Sequence, residues 1–206
     1  MDQGRKKMKN RSILIVILIS LLFSGCVSIT KELPAFNTYT LQLDDVKKSD
    51  SKIDYSITIS EPKSLSSINT KFITYTMGYR YENYSLSKWS DSPSKMLQKN
   101  ITSYLSLRDN YKYISSSKVN IKSDYKLVSE LENFTQVFTK DGVFVKVDIR
   151  VYLKGKRSEL YVKSFSYTKK STSDNAIGAV ESFNILTNEF VRDLDVWIIQ
   201  TLEKVS

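Results

Sequence analysis

The chain contains a single thiol and no imidazole. Cys26 is the sole cysteine among 206 residues, and histidine is absent. Without histidine, Ser-His-Asp and Cys-His nucleophilic chemistry are excluded. Histidine-containing zinc sites are excluded as well, and one thiolate cannot form a cluster around a metal. The six glycines are scattered and form no phosphate-cradling loop or dinucleotide fingerprint. Carboxylates remain, but Asp44-Asp45 and the other acids show no paired arrangement that would mark a carboxylate hydrolase. The residue types point away from catalysis, from a metal site and from a dissociable cofactor. They leave Cys26 as the one position suited to a covalent modification.

The setting of Cys26 indicates which modification. A basic stretch ends at Arg11, an apolar run extends from Ile13 to Phe23, and the small residues Ser24 and Gly25 precede the cysteine. The apolar run fits a secretory leader and falls well short of the ~20 residues of a membrane-spanning helix. Leu22-Phe23-Ser24-Gly25-Cys26 resembles a bacterial lipobox, with Phe23 where that pattern prefers leucine. The small neighbours give a peptidase access to the bond before Cys26, whose sulfur would accept diacylglycerol. An otherwise unpaired thiol in a secreted protein is then explained without an intermolecular disulfide. Several acyl chains (palmitate among them) hold a protein stably, whereas one holds it only marginally. The expected organisation is a leader over 1–25, a lipid-anchored tether over 26–38 and one folded domain over 39–206. Val27 stands where an aspartate would suggest inner-membrane retention, so the periplasmic side of the outer membrane is favoured over the inner membrane.

Charge narrows the partners. The chain has 31 basic and 22 acidic side chains, a formal +9, and almost half of that excess sits in the first 25 residues. The remaining lysines are dispersed. A nucleic-acid binder would gather them into a stripe that neutralises phosphates, so no nucleic acid is expected as a partner.

Periodicity supplies the elements. Tyr39–Leu43, Ile53–Ser60 and Lys71–Met77 alternate as strands. Ser92-Pro93 opens a helix, carried by Met96, Leu97, Ile101, Tyr104 and Leu105 and fading at Arg108-Asp109-Asn110. Tyr111–Ile114 reads as a short strand. Tyr125–Thr139 and Val143–Leu153 form a hairpin about Asp141-Gly142, with a bulge near Glu132-Asn133 where the apolar phase changes. Leu160–Tyr167 is the third member of this meander. A long helix opens at Asp174 or Asn175 and buries Ala176, Ala179, Val180, Phe183, Phe190, Leu194, Trp197 and Ile198. The fold class expected is α+β, a mixed or antiparallel sheet with two helices on one face.

Several of these pieces, in this order, resemble the PqiC-type family of ABC-transport auxiliary lipoproteins. They are the lipobox, Tyr39-x-Leu41, Ile73-Thr74-Tyr75, the tyrosines 79, 81 and 84, and Lys88-Trp89-Ser90-Asp91-Ser92-Pro93 with Leu97. Asp124-Tyr125-x-Leu127, the Phe134/Phe138 strand and a closing helix with Trp197 follow. Lys88 departs from the arginine usual in the family. The resemblance implies a fold like the N-terminal module of TolB-type envelope proteins. It also implies a non-catalytic periplasmic component that docks an MCE-domain protein and its ABC transporter, in a system that moves lipid between membranes. Homo-oligomers are compatible with it. The alternatives are an assembly factor or chaperone for another envelope machine and, more weakly, a lipid carrier with an apolar cavity. Tyr79, Tyr81, Tyr84, Lys88 and Trp89 are the candidate partner contact, because aromatics beside a basic group are common at binding hot spots. The competing reading of the same residues is that they close over the sheet as core.

Overall fold

The computed structural model describes residues 35–119 and 121–204. The leader, the lipobox and Cys26 lie outside the described residues, as does most of the tether. Among the described residues the fold is an α+β arrangement of nine strands in one mixed sheet and two helices.

The organising strand is β7 (Tyr125–Thr139), which pairs antiparallel with β8 (Gly142–Gly155) along its whole length. Both follow from alternation. Val145, Val147, Ile149, Val151 and Leu153 of β8 are buried, while Lys146, Asp148 and Arg150 point to the other face. The register slips between Leu131 and Asn133, so the expected bulge falls at Glu132. It returns Phe134 to the buried face after Leu127 and Leu131. The turn is Lys140-Asp141, one residue earlier than Asp141-Gly142, since Thr139 already pairs with Gly142. β9 (Leu160–Lys170) completes the meander against β8.

The other edge of β7 takes three short parallel strands in succession. β2 (Ile53–Ile59) lies beside Tyr125–Leu127, β3 (Lys63–Ser64) beside Glu130–Leu131, and β4 (Phe72–Met77) beside Gln136–Phe138. Pro62 separates the first two, because it has no N–H to give to a ladder. From here the sheet forks. β6 (Tyr111–Ser116) extends one branch from β2. β5 (Arg80–Trp89) pairs antiparallel with β4, and β1 (Asn37–Tyr39) pairs parallel with the end of β5.

Two helices cover the face that carries the apolar residues. α1 (Pro93–Arg108) begins where expected, but the Ser92 side chain makes no capping bond. The Ser94 N–H, one of the donors left free at a helix start, is satisfied by Asn69 Oδ1 at 3.0 Å. α2 (Ala176–Glu203) is capped by Asn175, whose Oδ1 accepts from Gly178 N–H at 3.0 Å. Gly178 is required here, since a Cβ would lie 2.2 Å from the Ser173 carbonyl oxygen.

One expected strand is displaced. The pairing near Tyr39 ends at that residue, and residues 40–46 cross α2 as an extended segment outside the sheet. Side chains take the place of the ladder: Gln42 N–H donates to Asn184 Oδ1 (2.7 Å), Asp44 N–H donates to Asn188 Oδ1 (2.9 Å), and the Gln42 carbonyl accepts from Asn188 Nδ2 (2.8 Å). Leu41 is thereby held in the core.

Candidate functional site

The five residues singled out as a contact surface all lie on β5 or on the turn that leads into it. The turn is Gly78-Tyr79, two residues between the paired Met77 and Arg80. Gly78 adopts φ +61°, which a two-residue hairpin with glycine first requires. Pairing is irregular between Phe72–Lys88 and Thr74–Asn83. β5 therefore presents side chains on both faces in a sequence that simple alternation does not give.

The structure divides the five. Trp89 is buried at 1% exposure and sits in the core against Phe134 (5.9 Å between ring centroids) and Phe183 (5.7 Å). Phe134 and Phe183 stack on each other at 4.0 Å. Of the two readings, Trp89 takes the core one in its placement, for a physical reason: it closes β5 at the point where the chain turns into α1, against Phe134, which follows the bulge. Tyr84 is half-buried. Its ring packs on Tyr75 (4.8 Å), and its hydroxyl donates to Gln136 Oε1 at 2.5 Å. Burial pushes the Tyr84 hydroxyl up to about 12. Gln136 is itself fully buried and donates to Ser171 Oγ at 2.9 Å. Tyr84 thus ties the wing formed by β1, β5 and β4 to the segment before α2.

Tyr79 and Tyr81 remain outside, and Lys88 is half-buried. Tyr79 is fully exposed and Tyr81 is 56% exposed. Lys88 points away from the helices, with its Nζ 4.8 Å from the ring centroid of Phe36, a cation–π contact. Phe36, Phe72 and Leu86 are exposed close by. Sequence reasoning missed Phe36, which lies before the first expected strand, and Phe72, which falls in the expected strand Lys71–Met77 but is not assigned there to an exposed surface. Among the described residues, every exposed aromatic side chain lies on this wing: Phe36, Phe72, Tyr79 and Tyr81. The charged residues on the wing and at its edge are Lys71, Arg80 and Lys88 against Glu82 and Asp91, with Arg80 Nε 3.7 Å from Glu82 and Lys71 Nζ 3.9 Å from Asp91.

Two other clusters differ in kind. Arg108 Nε donates to Asp195 Oδ2 at 2.9 Å and the Tyr111 hydroxyl donates to Asp195 Oδ1 at 2.6 Å, joining α1, α2 and β6. Asp195 is buried, and burial followed by its charge raises the Tyr111 hydroxyl far above its ordinary range. The group fastens α1, α2 and β6 together. A cleft of about 560 Å³ beside α1 is lined by Thr40, Ser90, Asp91, Lys95, Lys99 and Lys118 among others. The Ser92 N–H, and then Lys95 and Lys71, hold the Asp91 carboxyl below its usual value. This cleft is polar and open, unlike the apolar cavity a lipid carrier needs. Among the described residues no cluster of acids could hold a metal, and no helix is long and apolar enough to cross a membrane.

No family model matches the sequence, and no curated protein matches it. Solved structures share the fold. Protein XCC0632 from Xanthomonas campestris, of the DUF330 family, superimposes with a TM-score of 0.75 at 14% identity, over 82% of this chain and 97% of that one. An uncharacterised protein follows at 0.64 and 14% identity, over 80% of this chain and 99% of the other. CT253 from Chlamydia trachomatis, a hypothetical protein, gives 0.51 at 6% identity, over 71% and 96%.

Proposed function

We propose that this chain is a lipid-anchored, non-catalytic component of the bacterial envelope, attached through Cys26, that docks an MCE-type lipid transport complex and its ABC transporter at the membrane. The carrying observation is a lone thiol directly behind Leu22-Phe23-Ser24-Gly25, in a chain without histidine. The likeness of the fold to a DUF330 protein is compatible with this reading and leaves the partner to experiment. The carrier alternative loses support because the interior is filled by side chains such as Trp89, Phe134, Phe183 and Phe190.

The test is affinity isolation of the tagged, lipidated protein from membranes. An MCE-domain protein, a permease and an ATPase among the co-isolated chains support the proposal. Reproducible recovery of an outer-membrane-protein or lipopolysaccharide assembly machine instead would favour the chaperone reading and overturn it.

A further inference from the structure

The wing formed by β1, β5 and β4 carries an unusual surface. Exposed aromatic rings are costly to leave in water when a core is available, and the remaining tyrosines and phenylalanines of the described residues are at least partly covered. The four exceptions share one branch of the forked sheet. Met77 and Leu86 add exposed apolar area to the same branch. Lys71, Arg80 and Lys88 accompany them with Glu82 and Asp91; Arg80 and Lys71 are paired with these acids, whereas Lys88 contacts the ring of Phe36 and has no carboxylate partner among the described residues. Tyrosine beside apolar and cationic groups suits the boundary between head groups and acyl chains, where a ring can be apolar at one end and wet at the other.

Chain direction adds an independent argument. β1 runs parallel to β5, with Asn37 opposite Ser87 and Tyr39 opposite Trp89. The chain therefore enters the fold on this wing, and Phe36 is both its entry point and one of the four exposed rings. Residues 27–35 reach at most roughly 31 Å when fully extended. From the level of Phe36 to the hairpin tip at Tyr79 is roughly 23 Å along β5, at ~3.3 Å per residue. A bilayer holding lipid on Cys26 is thus within reach of every exposed ring of the wing.

We propose that the β1–β5–β4 wing is a second, non-covalent membrane contact: it rests on the bilayer that holds the anchor, with Phe36, Phe72, Tyr79 and Tyr81 at head-group depth. This inference rests on the lipid-anchor reading of Cys26. It orients the domain, placing the wing against lipid and the far edge of the sheet, β9, away from it. The hairpin is then occupied by lipid and is unavailable to a protein partner.

The experiment places the full lipidated chain in nanodiscs of phosphatidylethanolamine and phosphatidylglycerol containing a head-group spin-labelled lipid, and reads amide signals by NMR. The expected result is loss of most intensity at residues 36, 72 and 77–81, with Leu160 and Val162 of β9 retained. Tyr79→Ser combined with Tyr81→Ser should restore intensity over the hairpin while leaving the urea midpoint unchanged. If mass analysis finds the thiol unacylated, the anchor reading fails by itself. Coupling Cys26 to a maleimide lipid then supplies the same attachment, and the same broadening is still required. Uniform intensity across the wing in an attached chain overturns the inference. So does a concentration-dependent change at the hairpin in detergent that Tyr79→Ser abolishes, because the occupant would then be a second copy of the chain. Broadening that disappears once the transport partner is added would assign the hairpin to that protein and also overturn it.

Discussion

Replacing Trp89 with alanine separates the two readings of the aromatic strand most sharply. The indole is 1% exposed and lies against Phe134 and Phe183, with ring centroids 5.9 and 5.7 Å away. Neighbouring segments fix its backbone as well: Trp89 N–H donates to the Lys71 carbonyl at 2.6 Å. The surroundings have little room to collapse, so the cavity persists. Truncating a buried tryptophan in this way costs about 3–5 kcal/mol. Against a total stability of about 5–15 kcal/mol for an ordinary domain, that is at least about a fifth of what holds the fold. At a urea slope of about 2 kcal/mol per molar, the midpoint should fall by about 2 M. Far-UV circular dichroism of the full chain in detergent is the assay, since tryptophan emission would be altered by the substitution itself. Trp89→Phe should fall between, and Tyr79→Ala should stay within about 0.5 kcal/mol of the parent. A Trp89→Ala midpoint no lower than that of Tyr79→Ala, together with weakened recovery of a partner, would refute the core assignment.

Asp195→Ala leaves Arg108 without its partner at a site where the two side chains are 3% and 22% exposed. Breaking such a pair should destabilise by about 3–5 kcal/mol, read as a lowered urea midpoint. Asp124 accepts from Lys156 and from the hydroxyl and N–H of Ser56, and these bonds hold its carboxyl below the usual range. Its contribution is present above the ordinary aspartate value and lost as the pH falls toward its folded value. Asp124→Asn should therefore flatten the decline of the midpoint below about pH 4. The Tyr84 hydroxyl has the opposite sign. With its folded value raised to about 12, its stabilisation is full below the free tyrosine value and fades as the pH rises through 12. Tyr84→Phe leaves Gln136 Oε1 short of a donor. It should cost about 1–3 kcal/mol at neutral pH and make unfolding less sensitive to alkali.

The meander was legible because period-two alternation survives wherever one face is buried. The alternation from Val143 to Leu153 marks β8, and the change of phase near Glu132-Asn133 marks the bulge. The helices were legible from Ser92-Pro93 and from the apolar stripe after Asn175. β5 carries no period that marks it as a strand. It lies outside the central strands, exposes residues on both faces and shifts register opposite Phe72, so no single face carries its apolar residues. Trp89 followed from that omission: a strand end over a core needs the distant Phe134 and Phe183 to identify it. Residues 39–43 failed in the converse way, since alternation there reports packing on α2, with Asn184 and Asn188 standing in for a neighbouring strand. The Arg108–Asp195–Tyr111 network joins residues more than eighty positions apart, and nothing local marks it. The wing of exposed rings was half legible. The tyrosines drew notice by their density, whereas Phe36 and Phe72 became part of the surface only once β1 and β4 were seen to flank β5.

The claim on which the functional reading depends is chemical and can be weighed directly. The N-terminal peptide of the protein extracted from membranes should begin at Cys26 and carry the mass of a diacylglyceryl thioether. A peptide that still contains Ser24-Gly25 and a free thiol, from protein that is nonetheless firmly membrane-bound, would contradict it.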